Sequence, residues 1–361
     1  VAGYGFYTGN LWITLLALIA LTCQSSFFGP AKYGMIPELV NDSDLSRANG
    51  TINMMTNLAV ILGTLVAGEA SDAFNPQNGE PGLLWLPGAI LVGIAIAGLL
   101  ASLSLTPLPA GDKGLKYKWN PFDTYVSTIR EMSKSRLLMV MMAWGYFYLL
   151  AGIALFIVPE YTIVLGITRA EAAVLMGVLG VAIGVGCAVA GLISGHHIEP
   201  RLIPIGAAGL IVFFLLLAAV PPALGRQEGM IGVATSNVAC FILGAGFFAG
   251  FYIIPLQALL QKLSPDNERG RFLGTANAVS FTFMTVAALF YWAVRPAFGD
   301  RPEKIFYLCA LLMAAGAAFF LWKLRGTGIL IGSRPESEDD EPDHAESDGA
   351  ESRIASELNA E

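Results

Sequence analysis

Charge is scarce in this sequence. Asp, Glu, Lys and Arg make up 14% of its 361 residues, and they are unevenly spread. From Ser333 onward lie 11 of the 28 acids and only two bases, Arg334 and Arg353, so the net charge of -7 belongs to a tail and not to a site. Cysteine is thin as well. Cys23, Cys187, Cys240 and Cys309 fall in four different apolar segments without CxxC spacing, which excludes a disulfide framework and a cysteine metal site and leaves buried free thiols. The three histidines form no constellation: His196 and His197 sit together at a helix end and His344 lies in the tail. No HExxH and no GxxxxGK[ST] occurs, so no catalytic residue, metal or cofactor is expected, nor any nucleic-acid partner, and the chain is read as no enzyme.

Apolar runs fill the space. Hydrophobic residues are 55% of the chain and the mean hydropathy is +0.62, the composition of a polytopic membrane protein. Nine segments are long and apolar enough for a bilayer core that takes about 20 residues of helix: near 10–40, 48–70, 84–106, 137–159, 171–195, 202–222, 230–261, 272–294 and 304–322. Lipid cannot satisfy open backbone groups, and the segments lack the alternation of a membrane barrel, so the fold class is all-α. Gly180 with Gly184, Gly191 with Gly195, and Gly246 with Gly250 have the spacing that lets helices approach closely.

One stretch occurs twice. Phe27 to Asn53 reads FFGPAKYGMIPELVNDSDLSRANGTIN, and Phe247 to Asn277 echoes it, with Arg271, Gly274, Thr275 and Asn277 matching Arg47, Gly50, Thr51 and Asn53 at one offset. Each copy has a Phe-Phe pair, a proline-broken apolar helix, a short charged turn and another apolar helix, which reads as internal duplication. The copies lie six spans apart. That spacing expects residues 1–106 to be the second half of an N-terminal bundle whose first three helices precede Val1, and 137–325 to be a six-helix C-terminal bundle. VAGYGFYTGN reads as the end of a hydrophobic helix entering a turn. Thirteen Lys and Arg fall in connections on one side against five on the other, which puts the first side, the linker 107–136 and the disordered acidic tail 326–361 in the cytoplasm. Within the linker, Asn120 and Pro121 start a short helix with Phe122, Tyr125, Val126, Ile129 and Met132 on one face, suited to the membrane surface.

Candidate functional residues cluster in the two copies. Lys32 is the only basic residue inside a span, about 12 Å of helix from the cytoplasmic end; it either attracts an anion into a cavity or snorkels as a structural group. Pro30, Pro37 and Pro255, with Gly29, Gly34 and Gly250 nearby, mark hinges at matching points of the repeats or static kinks. Asn49, Asn53, Asn57, Gln257, Gln261 and Asn277 are amides that must find partners, across helices or on a substrate. Glu69, near the outer end of the second segment, is the one acid placed for ion coupling.

The run FFGPAKYGMIPELV with RANGTIN and LAVILGTLVAG resembles the fourth and fifth helices of lysophospholipid transporter-like members of the major facilitator superfamily. GFFAGFYIIPLQALLQ with ERGRFLGTANAV resembles their tenth and eleventh. GLISGHHIEPRLIPIG is similar to a degenerate form of the superfamily's cytoplasmic loop, with Arg201 at its closing basic position. The resemblance implies a two-bundle fold and movement of lysophospholipid between the leaflets of a bacterial inner membrane. It also implies a functional link to an acyltransferase/acyl-carrier-protein ligase, and a pathway lined or hinged by Pro30, Lys32, Tyr33, Asn49 and Gly50 with Pro255 and Gln257. Leu137 to Pro159 carries no charge, where the stand-alone branch keeps a basic residue. A permease for a small polar or drug-like solute and a non-transporting scaffold remain as alternatives.

Overall fold

The computed structural model describes residues 1–74, 81–105, 121–195, 197–227 and 229–325, and every regular element among them is helical. Polar and left-handed residues set the helix ends. α1 (Ala2–Thr8) stops at Gly9, whose φ of 63° is left-handed, a conformation glycine adopts without steric cost. The side chain of Asn10 then accepts the backbone N–H groups of Trp12 and Ile13 at 3.1 and 3.3 Å and starts α2 (Leu11–Leu39). After it come α3 (Leu45–Phe74), α4 (Leu86–Ser102), α5 (Pro121–Met132), α6 (Leu137–Ile157), α7 (Tyr161–Leu165) and α8 (Arg169–Ser194). The chain continues through α9 (Leu202–Ala219), α10 (Gly229–Ala234), α11 (Asn237–Leu263), α12 (Arg269–Val294) and α13 (Phe306–Arg325).

Nine spans were expected, and seven helices among the described residues are long and apolar enough to cross a membrane, α6 being counted with the turn after it as Leu137–Leu165. α4 has 17 residues, ~26 Å of helix against a hydrocarbon core of ~30 Å. α3 has 30 residues but carries Asn49, Asn53 and Asn57 in its first half, and it is not among the seven. The segment expected over 230–261 is divided, because Ser236 caps a new helix by accepting the Ala239 N–H at 3.0 Å.

α11 is the central element: every residue from Ala249 to Gln261 is buried, and α11 packs on α8, α9, α6 and α3. α6 packs on α12, and α9 on α13. Aromatic pairs fill the space between them, Phe147 stacking on Tyr252 at 5.8 Å and Phe214 on Phe306 at 5.6 Å. Two glycine contacts bring backbones together. A Cβ on Gly250 would lie 2.2 Å from the Gly186 carbonyl carbon, and one on Gly50 2.5 Å from the Cys187 carbonyl oxygen. Gly195 departs from the close-packing expectation, since it is the α8 cap with φ of 57° and meets nothing within 4 Å. Large apolar side chains such as Trp12, Leu16 and Ile19 on α2 and Ile94 and Leu99 on α4 are exposed, as in helices solvated by lipid.

The repeat is repeated in the backbone. α2 ends at Leu39 and α11 at Leu263, short turns follow at Asp42–Asp44 and Asp266–Glu268, and the next helices start at Leu45 and Arg269, all at the offset separating Arg47 from Arg271. α2 packs on α12 while α3 packs on α11, so the two copies face one another across a seam. The prolines do not break the helices: α2 runs on through Pro30 and Pro37, and α11 through Pro255, as membrane helices do when neighbours absorb one missing donor.

α5 starts at Pro121, as its sequence predicts. Its apolar face is shared: Met132 is buried and Ile129 half-buried on the bundle, whereas Tyr125 and Val126 point outward. Glu131 fastens this helix to α12 through Arg271. The side chain of Phe122, residues 107–120 and the acidic tail from 326 lie outside the described residues.

Candidate functional site

Asn49, Asn53 and Asn57 recur every four residues and form one row along α3, and Gln257 and Gln261 form another along α11. Where α3 crosses α11 the rows meet as rungs. Asn49 Nδ2 donates to Gln261 Oε1, and Gln261 Nε2 donates to Asn49 Oδ1 at 3.2 Å and to the Tyr33 carbonyl of α2 at 2.9 Å. On the next rung Asn53 Nδ2 donates to Gln257 Oε1 at 3.1 Å, and the Tyr33 hydroxyl donates to Asn53 Oδ1 at 3.5 Å. Asn49 and Gln261 are fully buried. An amide held there without partners costs ~1–3 kcal/mol, so the ladder sets the register in which the two copies close. Ile36, Leu45 and Ala258, one from each of α2, α3 and α11, pack together on the same seam.

Beside the ladder lies a cavity of about 20 Å³ bordered by Pro30, Tyr33, Gln257, Gln261, Leu273 and Asn277, room for about one water. Trp144 of α6 completes it, and the Trp144 indole N–H is buried with no hydrogen-bond partner among the described residues. Sequence reading missed Trp144. An orphaned donor is a tertiary property, and the only local signal was a tryptophan in the middle of an uncharged span.

A larger cavity of about 270 Å³ has Asn53 in its lining. Its walls are apolar, built by Phe147, Leu150, Phe214, Ile242, Ile253 and Phe306 among others, and its amides are Asn53 and Asn57 from α3. Neither cavity has a charged residue among its described lining. Such a pair of spaces can hold an apolar chain and hydrogen-bond a neutral or polar group at its end.

The other expected residues fall around this arrangement. Lys32 Nζ donates to Thr56 Oγ1 at 3.2 Å and sits over the Tyr33 ring at 4.6 Å; no carboxylate pairs with it among the described residues. Pro37 and Pro255 border neither cavity. Gly50 faces α8, not the seam, with Cys187 and Gly191 against it. Glu69 lies near the end of α3, and its side chain is outside the described residues.

Comparison with known proteins adds a lineage. A family model described as Major Facilitator Superfamily matches residues 1–289. The lysophospholipid transporter LplT of Cronobacter sakazakii is 29% identical over 269 residues, covering 70% of this chain and 58% of its own. LplT of Klebsiella pneumoniae is 28% identical over 267 residues, with the same two coverages. The chain therefore spans about 58% of the length of these curated relatives. Among solved structures, FucP, a Major Facilitator Superfamily transporter in the outward conformation, superposes with a TM-score of 0.58 at 16% identity, over 88% of this chain and 78% of FucP, a likeness of fold.

Proposed function

The chain belongs to the Major Facilitator Superfamily, and from that premise we propose that it is a secondary transporter that moves lysophospholipid across a bacterial inner membrane by alternating access. The observation that carries this reading is the larger cavity. Apolar walls from the C-terminal helices meet Asn53 and Asn57 from the first copy, so an acyl chain finds a dry slot while a polar head group meets amides on the seam. At about 270 Å³ the cavity is just below the ~300–1,000 Å³ common for small-molecule sites.

In this reading the amide ladder closes one end of the pathway, and Lys32 lies beside it to attract the head-group phosphate. Pro30 and Tyr33 line the route, with Gln257, Gln261 and Asn277 opposite. Pro37 and Pro255 bend the two gating helices, and Glu69 is the candidate for ion coupling. The C-terminus faces the cytoplasm by the bias of basic residues, where an acyltransferase/acyl-carrier-protein ligase would consume the cargo.

The test is transbilayer movement of labelled lysophosphatidylethanolamine in proteoliposomes of the full-length protein. Protein-dependent movement that unlabelled lysolipid competes away, and that Ala249→Phe in the cavity wall suppresses, is expected. Movement no faster than in protein-free vesicles overturns the lipid assignment, and competition by a small polar solute alone transfers it to the permease reading.

A further inference from the structure

At the end of the bundle away from the cavities' apolar walls, the turn between α5 and α6 meets the ends of α11 and α13 around a hollow of about 570 Å³. Three cations line it: Lys134 and Arg136 from the turn and Lys323 from the last turns of α13. Ser133 and Ser135 add hydroxyls beside them, and Leu137, Met139 and Leu263 form an apolar floor. None of the three cations has a carboxylate partner among the described residues. Glu131 of α5 is held by Arg271, which Glu268 also contacts at 2.5 Å.

We propose that this hollow is a binding site for the phosphate-bearing head group of an anionic membrane lipid. Three cations with no carboxylate partner among the described residues repel one another around one concavity, and a phosphodiester supplies both the charge and the acceptors for Lys, Arg and Ser donors. The apolar residues Leu137, Met139 and Leu263 on the same lining match a lipid better than a free anion. Lys323 lies over the ring of Trp322 at 5.0 Å, and that tryptophan is exposed at the end of a spanning helix, the level at which aromatic residues meet the head-group layer. The apolar floor continues into α6 and α11, so acyl chains run down the helices while the phosphate stays among the cations. The site is separate from the cargo route and does not depend on what the cargo is.

Titration of the purified full-length protein with fluorescent phosphatidylglycerol tests this, with phosphatidylcholine of the same chains and inorganic phosphate as the other arms. Each cation near a membrane surface contributes about fivefold in affinity for anionic lipid, so Lys134→Gln/Arg136→Gln/Lys323→Gln weakens phosphatidylglycerol binding roughly a hundredfold and Lys323→Gln alone about fivefold. Arg130→Gln/Arg201→Gln/Lys262→Gln makes the same change in net charge outside the hollow and leaves binding at the wild-type level. If the triple variant unfolds, the single variant still decides. Equal loss in the control variant, equal binding of phosphatidylcholine, or displacement of the lipid by equimolar inorganic phosphate overturns the assignment.

Discussion

Gln261→Leu removes three hydrogen bonds in one substitution: the reciprocal pair with Asn49 and the bond to the Tyr33 carbonyl. It keeps the side-chain volume nearly constant, so the seam loses bonding without gaining a large hole. Interhelical side-chain bonds in membranes average ~0.6 kcal/mol, and three lost together cost about 2 kcal/mol, a shift of about 30-fold in the ratio of closed to open seam. Asn49 Nδ2 keeps its bond to the Leu45 carbonyl at 2.8 Å, which holds the loss near that figure. The shift can be read at Ala258, which is fully buried between Ile36 and Leu45. With Ala258→Cys and the four native cysteines replaced, the rate of maleimide modification follows the fraction of molecules whose seam is open. Gln261→Leu is expected to raise that rate about 30-fold, and Asn49→Leu/Gln261→Leu to raise it less than the two single effects combined, because the pair acts as a unit. A rate within about twofold of the parent would mean that the ladder does not hold the seam and that apolar packing alone does.

Three further outcomes are expected. Gly250→Ala forces a Cβ against the Gly186 backbone and destabilises by about 1–3 kcal/mol, whereas Gly270→Ala, with nothing within 4 Å, stays within about 0.5 kcal/mol; thermal unfolding in detergent separates them. Glu160 accepts from Arg295 Nε and the Tyr291 hydroxyl, each at 2.5 Å, so Glu160→Ala costs about 2 kcal/mol, and Arg295→Ala added to it costs only the remaining bond from Arg295 Nη1 to the Gly299 carbonyl in the same assay. Trp144→Phe removes a buried N–H that has no partner and leaves the unfolding temperature nearly unchanged, but it weakens cargo binding about tenfold if a ligand oxygen accepts that N–H; unchanged cargo affinity assigns Trp144 to packing.

The helices were legible because period and length are local. The repeat was legible because four identities at one offset sit inside the same hydropathy, and the matched helix ends follow from that. The amides were legible as groups needing partners. Which partner was not: pairing Asn49 with Gln261 depends on where α3 crosses α11, and a crossing is set by small residues such as Gly50 and Gly191, whose contacts are long-range. Gly50 itself shows the limit. The family resemblance implies that it lines or hinges the pathway, and in the structure its lack of a side chain serves contact with α8. The position of Lys32 fits both an anion-attracting and a snorkelling lysine, and its bond to Thr56 and its place over Tyr33 hold it along the helix.

The offset of the repeat also explains why the ladder lies on one side only. Exchanging the two copies maps the Asn53–Gln257 contact onto Asn277 and Tyr33, and both of these border the small cavity. The same exchange maps the Asn49–Gln261 pair onto Leu273 and Pro37, which cannot form a reciprocal bond. One crossing, α3 on α11, is therefore locked by directional bonds, while its partner, α2 on α12, is held by apolar contact such as Leu273 against Gly34. Apolar contacts slide at small cost, whereas an amide pair must break before its helices move. In the rocking motion proposed above, Asn49 and Gln261 are the hydrogen-bonded latch and Leu273 the sliding face, so substitutions at these symmetry-related places should affect seam opening unequally although the backbone around them is alike.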